Sequence, residues 1–439
     1  MAVLFAAASA TTAVSQDLMV PIGEGAFNWD SYQAFADAND LSGESMNMTG
    51  PWTGQDAALF ENVLSYFEEA TGASIQYSGS DSFESDFVIA AQAGSAPDMA
   101  VFPQPGLMAD MARQGNLVTL PEGTGDWLSA NYAAGESWVE LGSVDGEMYG
   151  FPYKIDVKSL VWYVPENFEE AGYEIPESLE ALKELTDQIV ADGGTPWCIG
   201  LGSGAATGWP ATDWVEDMLL RTASPEIYDQ WVANEIPFDA PEVVAAIEEF
   251  GYFAKNDDYA QGGASAVAST DFRDSPSGLF DFPPECYMHK QATFIPTFFP
   301  EGTVVGEDVD FFYFPAYEGE DLGQPVLGAG TMFVRSEDTA ITTAFIEFLQ
   351  TPIAHEIWMA QSGFLTPFTE ANQEVFPSDT QRALNEILTS ATTFRFDGSD
   401  LMPGEIGAGA FWTGMVDYVT GASAEEVAAG IQERWSSMQ

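Results

Sequence analysis

Histidine and cysteine are almost missing from this chain, with two of each among 439 residues, and Lys and Arg together number only twelve. Two histidines, His289 and His355, leave almost no material for a histidine-based metal site or a Ser–His–Asp triad. The sequence also lacks an HExxH, a GxSxG, a Walker loop and a GxGxxG placed after a strand, so no metal or cofactor is expected. A pair of carboxylates would suffice for glycoside hydrolysis. With 69 Asp and Glu present, any chosen pair is uninformative. The shortage of cations leaves a formal net charge of −57. Nucleic acid and anionic membrane surfaces would be repelled, and neither is an expected partner. No apolar run is long enough to span a bilayer.

What is present points to a folded, exported chain. Its length is too great for one ordinary hydrophobic core, so two domains are expected. Hydrophobic residues make up 46% and aromatics 13%, enough to fill real cores despite the charge. The carboxylates are spread along the chain, which reads as a solvated coat best tolerated where salt screens it, and hence as a marine or halophilic source. Residues 1–16 have the apolar and cleavage parts of a signal peptide, with cleavage expected between Ala10 and Gln16. No Lys or Arg precedes the apolar run, a departure that a truncated start would account for. No Cys lies near the cleavage site, so a soluble periplasmic protein without a lipid anchor is expected. In an oxidising compartment an even cysteine count favours a disulfide between Cys198 and Cys286, although two separate buried thiols would satisfy the same count.

Along the chain, strands and helices alternate. SMNMT at 45–49, ASIQYSG and DMAVFP read as strands. Residues 56–70 place Phe60, Val63, Leu64 and Phe67 on one helical face, and SFESDFVIAAQAG and LMADMARQG continue as helices. This is the pattern of a largely parallel α/β sheet. A second αβ set starts near residue 157 with SLVWY, followed by a helix carrying Leu179, Leu182, Leu185 and Ile189. The stretch 270–316 is rich in Phe, Tyr and Pro without a helical period. Helices return at 337–350 and 424–435. Two α/β halves in one chain invite a ligand between them.

Several loops at the ends of these units combine amides, carboxylates, cations and rings, the groups that grip hydroxyls and pack on the C–H face of a pyranose. Candidates are Trp52 in GPWTGQD, Asp81 in GSDS, Gln104 in PQPG, Lys154 and Asp156 in YKID, Trp209 and Asp213 in GWPATDW, and Arg395 and Asp400 in RFDGSD. Each taken alone is equally consistent with a packing anchor or a structural ion pair. Lys154, Lys158 and Arg395 stand out because so few cations exist and these three sit in apolar or carboxylate-rich segments.

The order of longer motifs carries a resemblance. GPWTGQDAALFENVLSYFEEATG followed by PDMAVFPQPGLMADMARQGNLVTL is similar to the opening of the family 1 extracellular solute-binding proteins of ABC importers. YGFPYKIDVKSLVWYVPENFEEAGYEIP, GGTPWCIGLGSGAATGWPATDWVED, CYMHKQATFIP, LGAGTMFV and FRFDGSDLMPGEIGAGAFW resemble its α-glucoside-binding subgroup, and the likeness runs from about residue 40 to the C-terminus. The resemblance implies a two-lobed periplasmic-binding-protein fold, each lobe a central sheet flanked by helices, with hinge crossovers and an interlobe cleft. The N-lobe would take 45–155 and 317–365, the C-lobe 156–316 and 366–439. It adds Thr331 of GAGT on the N-lobe wall and Trp412 of GAFW from the C-lobe, although helical spacing could equally bury Trp412 as core. It further implies a monomer that binds a sugar by hinge closure and passes it to membrane permease subunits, without catalysis. A compatible solute such as glucosylglycerol, or glycoside hydrolysis, are the alternative expectations.

Overall fold

The computed structural model describes residues 18–319, 322–361, 363–390 and 393–438; the expected signal peptide lies outside them. The first half builds a sheet as its pattern predicts. Ser45–Gly50 pairs in parallel with Ser74–Gly79 on one side and Met99–Phe102 on the other. Between the first two strands runs the helix Gly54–Thr71, whose Phe60, Val63, Leu64 and Phe67 recur at helical spacing and are all buried. Gly72, at φ 73°, closes it in the left-handed conformation that a side chain would strain.

A long strand, Val326–Arg335, completes this sheet. Its C-terminal part runs antiparallel to Met99–Phe102. Its middle runs antiparallel to Phe151–Val157, and its start is parallel to Phe394–Phe396. The register slips beside Thr331: Gly330 faces Ile155 and Met332 faces Pro152, so Tyr153 and Lys154 together oppose one residue. Such irregularities re-aim side chains at the edge of a site.

The second sheet departs from the expected parallel set. Leu160–Tyr163 lies between His289–Lys290 and Asp310–Tyr313 and is antiparallel to both, because the chain returns from its helical excursions running back toward the crossover at 157–160. Helices surround it, among them Leu179–Ala191, Trp209–Thr222, Pro241–Ala254 and Ala424–Ser436. The aromatic stretch 270–316 supplies only short turns, Ser275–Phe280 and Ile295–Phe298, and these two small strands. Cys198 and Cys286 are joined, with Cα atoms 5.5 Å apart, and the adjacent Cys198 amide donates to Met288 O at 2.8 Å.

Two apolar clusters result. The first gathers residues such as Phe60, Phe102, Ile155, Phe333 and Trp358 around the large sheet. The second gathers Leu185, Trp214, Phe250, Phe411 and Trp435. Neighbours on the long strand divide between them: Val326 joins the first cluster and Leu327 the second.

Candidate functional site

A cavity of about 970 Å³, counted with its open mouth, lies between the two bodies, within the size range of small-molecule pockets. Strand ends and helix starts on the first body supply one wall. Asp56 stands in the first turn of Gly54–Thr71, and Gln104 directly precedes Pro105–Arg113. Lys154 and Asp156, two residues apart on one strand, face the same side as the period of 2 requires. The Lys154 ammonium donates to both Asp156 oxygens, at 2.9 and 2.7 Å, and Thr293 adds its hydroxyl at 3.0 Å. Thr331 joins them from the register slip.

The opposite wall is more aromatic. Trp209 is half-buried and meets Phe272 and Phe294 at centroid distances of 5.0 and 6.0 Å. Trp412 opens the helix Trp412–Thr420 and is 4% exposed. Gly208 brings these two together: at φ 117° it sits where side chains are disfavoured, and a Cβ there would lie 2.2 Å from the Trp412 carbonyl oxygen.

Below this wall is a buried charge network. The Lys158 ammonium donates to Asp213 Oδ1 at 2.7 Å and Asp397 Oδ2 at 2.5 Å. Asp397 Oδ1 accepts from the Ser399 hydroxyl at 2.7 Å and the Asp400 amide at 2.9 Å, and Glu216 accepts the Gly398 and Ser399 amides. Burial works against charge on Asp397, but Lys158 and these hydrogen bonds outweigh it and hold its carboxyl below the usual range. Burial wins at the others. It raises Asp213 to about 7 against the pull of Lys158, and it pushes Asp400 well above the ordinary value with the Asp397 charge adding to it. On the first wall, burial raises Asp56 to about 6, with Lys154 opposing. Glu84 is also raised by burial, against a 3.0 Å hydrogen bond from Gln104 Nε2.

Three buried polar atoms on the cavity-lining residues have no protein partner: Asp56 Oδ1, Gln104 Oε1 and Trp412 Nε1. Buried polar atoms are normally bonded, so two acceptors on one wall and a donor on the other leave hydrogen-bonding capacity unused beside the cavity.

Nine of the eleven residues singled out in the sequence line this cavity: Trp52, Asp81, Gln104, Lys154, Asp156, Trp209, Thr331, Asp400 and Trp412. Trp52 is mainly a core ring, 4.9 Å from both Phe60 and Trp358. Asp213 lies behind the lining, on Lys158. Arg395 is elsewhere. Alternation along Phe394–Phe396 sends it to the far side, where its guanidinium grips Asp229 at 2.6 and 2.9 Å. Both histidines are packed in the interior, His355 bonded to Thr366 and Leu349 and His289 to the Cys198 carbonyl. Missed in the sequence were Asp56, Glu84, Arg273, Asp397 and Ser399, all cavity-lining, whereas Lys158, which stood out there as a scarce cation, lines the cavity too. For Lys158 and Arg273 the rarity of cations was a usable signal; Glu84 had none.

A chain with two α/β bodies enclosing a polar, aromatic-lined cavity is a two-lobed small-molecule binding protein. Its sequence matches the model for bacterial extracellular solute-binding proteins over residues 50–356. The chain belongs to this family. It is 60% identical over 430 residues to the alpha-glucosides-binding periplasmic protein AglE of Rhizobium meliloti, covering 96% of this chain and 94% of that one. It is 42% identical over 397 residues to the osmoprotective compounds-binding protein GgtB of a Synechocystis strain, covering 90% and 93%. Among solved structures, the bacterial solute receptor AcbH superposes with a TM-score of 0.77 at 17% identity, covering 90% of this chain and 99% of that one. Maltose-bound MalE3 of T. maritima gives 0.70 at 14%, covering 90% and 100%. At such identities these two establish the fold alone.

Proposed function

We propose that this protein captures a small α-glucoside in the periplasm and hands it to the permease subunits of an ABC importer. The observation that carries the reading is the trio of unpartnered atoms, Asp56 Oδ1, Gln104 Oε1 and Trp412 Nε1, around one ring-lined cavity. Sugar hydroxyls donate and accept at once, so one ligand can satisfy both acceptors and the donor, while its C–H face packs on Trp209 or Trp412. The name of AglE supplies the α-glucosidic linkage, and that of GgtB, an osmoprotective compounds-binding protein, keeps a compatible solute as the second reading.

The ligand set is Trp52, Gln104, Lys154, Asp156, Trp209, Thr331, Asp400 and Trp412, joined by Asp56, with Asp81 at the mouth. Asp213 acts through Lys158, and Arg395 is outside the set. With the lobes divided at 45–155 and 317–365 against 156–316 and 366–439, both walls contact the sugar only when closed, so binding favours that state. Binding needs no metal, cofactor or covalent step. The protein works as a monomer, and among the described residues no helix is long and apolar enough to cross a membrane.

Calorimetry with sucrose, maltose, trehalose, palatinose and glucosylglycerol tests the reading. At least one should bind. Trp412→Ala should weaken that binding by about 1–3 kcal/mol, whereas Arg395→Ala should leave it unchanged. No heat with any of the five would sink the proposal, and steady release of glucose from maltose would make the protein a hydrolase instead.

A further inference from the structure

The cavity is crossed at its mouth by an ion pair. Asp81 is exposed, while the other lining residues are buried or half-buried, which places it where cavity meets solvent. It follows the strand Ser74–Gly79 of the first body. Arg273 reaches it from a loop tied to the other side, where the Phe272 amide donates to Gly202 O and the Gly202 amide to Thr270 O. Arg273 Nη2 donates to Asp81 Oδ1 at 2.6 Å, and the Thr53 hydroxyl donates to the same oxygen at 3.3 Å.

The guanidinium is held on its other sides as well. Its Nη1 contacts both Asp271 oxygens at 3.4 Å, and its plane lies over the Phe272 ring at 4.4 Å. A planar fork stacked on a ring and bonded at both ends has little freedom to swing aside. A ligand that leaves the cavity between these two residues has to break the Arg273–Asp81 bond and lift the guanidinium from Phe272. A ligand short enough to stay inside leaves all of it intact.

We propose that Arg273, locked to Asp81 across the mouth, sets the upper length of the glucoside that the cavity accepts. The proposal rests on the sugar-binding reading above and adds its size selectivity. A chain of three or four units binds more weakly than a disaccharide because it must displace the pair, not because it finds fewer groups inside.

The test is a titration of the full chain and of Arg273→Ala with maltose, maltotriose and maltotetraose, with sucrose against raffinose as a second length series. The readout is the ratio of short to long affinities, which is insensitive to a general change in binding. For the unaltered protein the ratio should favour the disaccharide by at least about fivefold, and in Arg273→Ala it should shrink toward unity. Asp81→Asn, which keeps the shape but not the charge, should shift the ratio the same way and serves if Arg273→Ala folds poorly. An unaltered protein that binds all lengths equally, or a ratio unmoved in both variants, overturns the proposal and leaves sugar binding intact. No binding of any of these sugars removes the reading beneath it.

Discussion

Asp213 lines no part of the cavity, yet it holds the lysine that does. Its carboxyl titrates near 7 in the folded protein because burial outweighs the pull of Lys158, against about 3.9 for an unperturbed Asp. Between about pH 4 and 7 the folded state therefore holds a proton that the unfolded state has lost, and unfolding free energy falls as pH rises through that window. Asp56, at about 6, adds in the same direction. Buried His289 and His355, whose pKa values burial lowers to about 4 and 3, act in the opposite direction up to about pH 6.5. The test is therefore a difference: from pH 5 to pH 8 the melting temperature of Asp213→Asn should fall less, or rise more, than that of the unaltered protein. Parallel slopes would remove Asp213 from the account. Single residues were only half legible in advance. Scarcity of cations drew the eye to Lys154, Lys158 and Arg395, but scarcity does not say which way a strand turns its side chains. For Arg395 the turn was outward. Trp412 fitted both core and ligand readings, and its surroundings keep both open: it is 4% exposed, yet it lines the cavity with an indole N–H that finds no protein partner.

At the scale of elements, helices with a clear apolar period were readable, as Phe60, Val63, Leu64 and Phe67 show. Phe151–Val157 was harder, because it is buried on both faces and carries Lys154 and Asp156 inside. Alternation of polar and apolar residues, the usual sign of a strand, then records cavity against core and not water against core. The slip opposite Thr331 was not readable at all, since register belongs to two strands that lie far apart in the chain. The Cys198–Cys286 bond acts on the same scale. It spans 88 residues and clamps the segment that feeds His289–Lys290, whose Lys290 pairs with the buried Asp217 at 2.9 Å. Replacing both cysteines by serine should cost about 2–4 kcal/mol, read from chemical denaturation. An unchanged midpoint would mean that the packing alone holds this segment.

For the molecule as a whole, charge of one sign dominates the surface while the other sign is drawn inward. Eleven of the twelve cations are ion-paired, several of them deep inside: Lys154, Lys158, Lys290 and Arg221 have side chains at most 7% exposed. The twelfth, Lys255, donates to the Ala422 carbonyl and lies over the Tyr418 ring. Outer carboxylates thus have few cations to offset them, and added electrolyte should do so instead. The melting temperature is expected to rise between low and molar NaCl, and a flat or falling response would dismiss salt adaptation. The inward draft of cations has a chemical corollary. Three of the five lysines are buried and the other two, Lys183 and Lys255, are half-buried, so the folded protein offers few primary amines. Reagents that acylate amines, and supports that immobilise proteins through them, would find little to hold, and coupling through the many carboxylates is the practical route to tethering it.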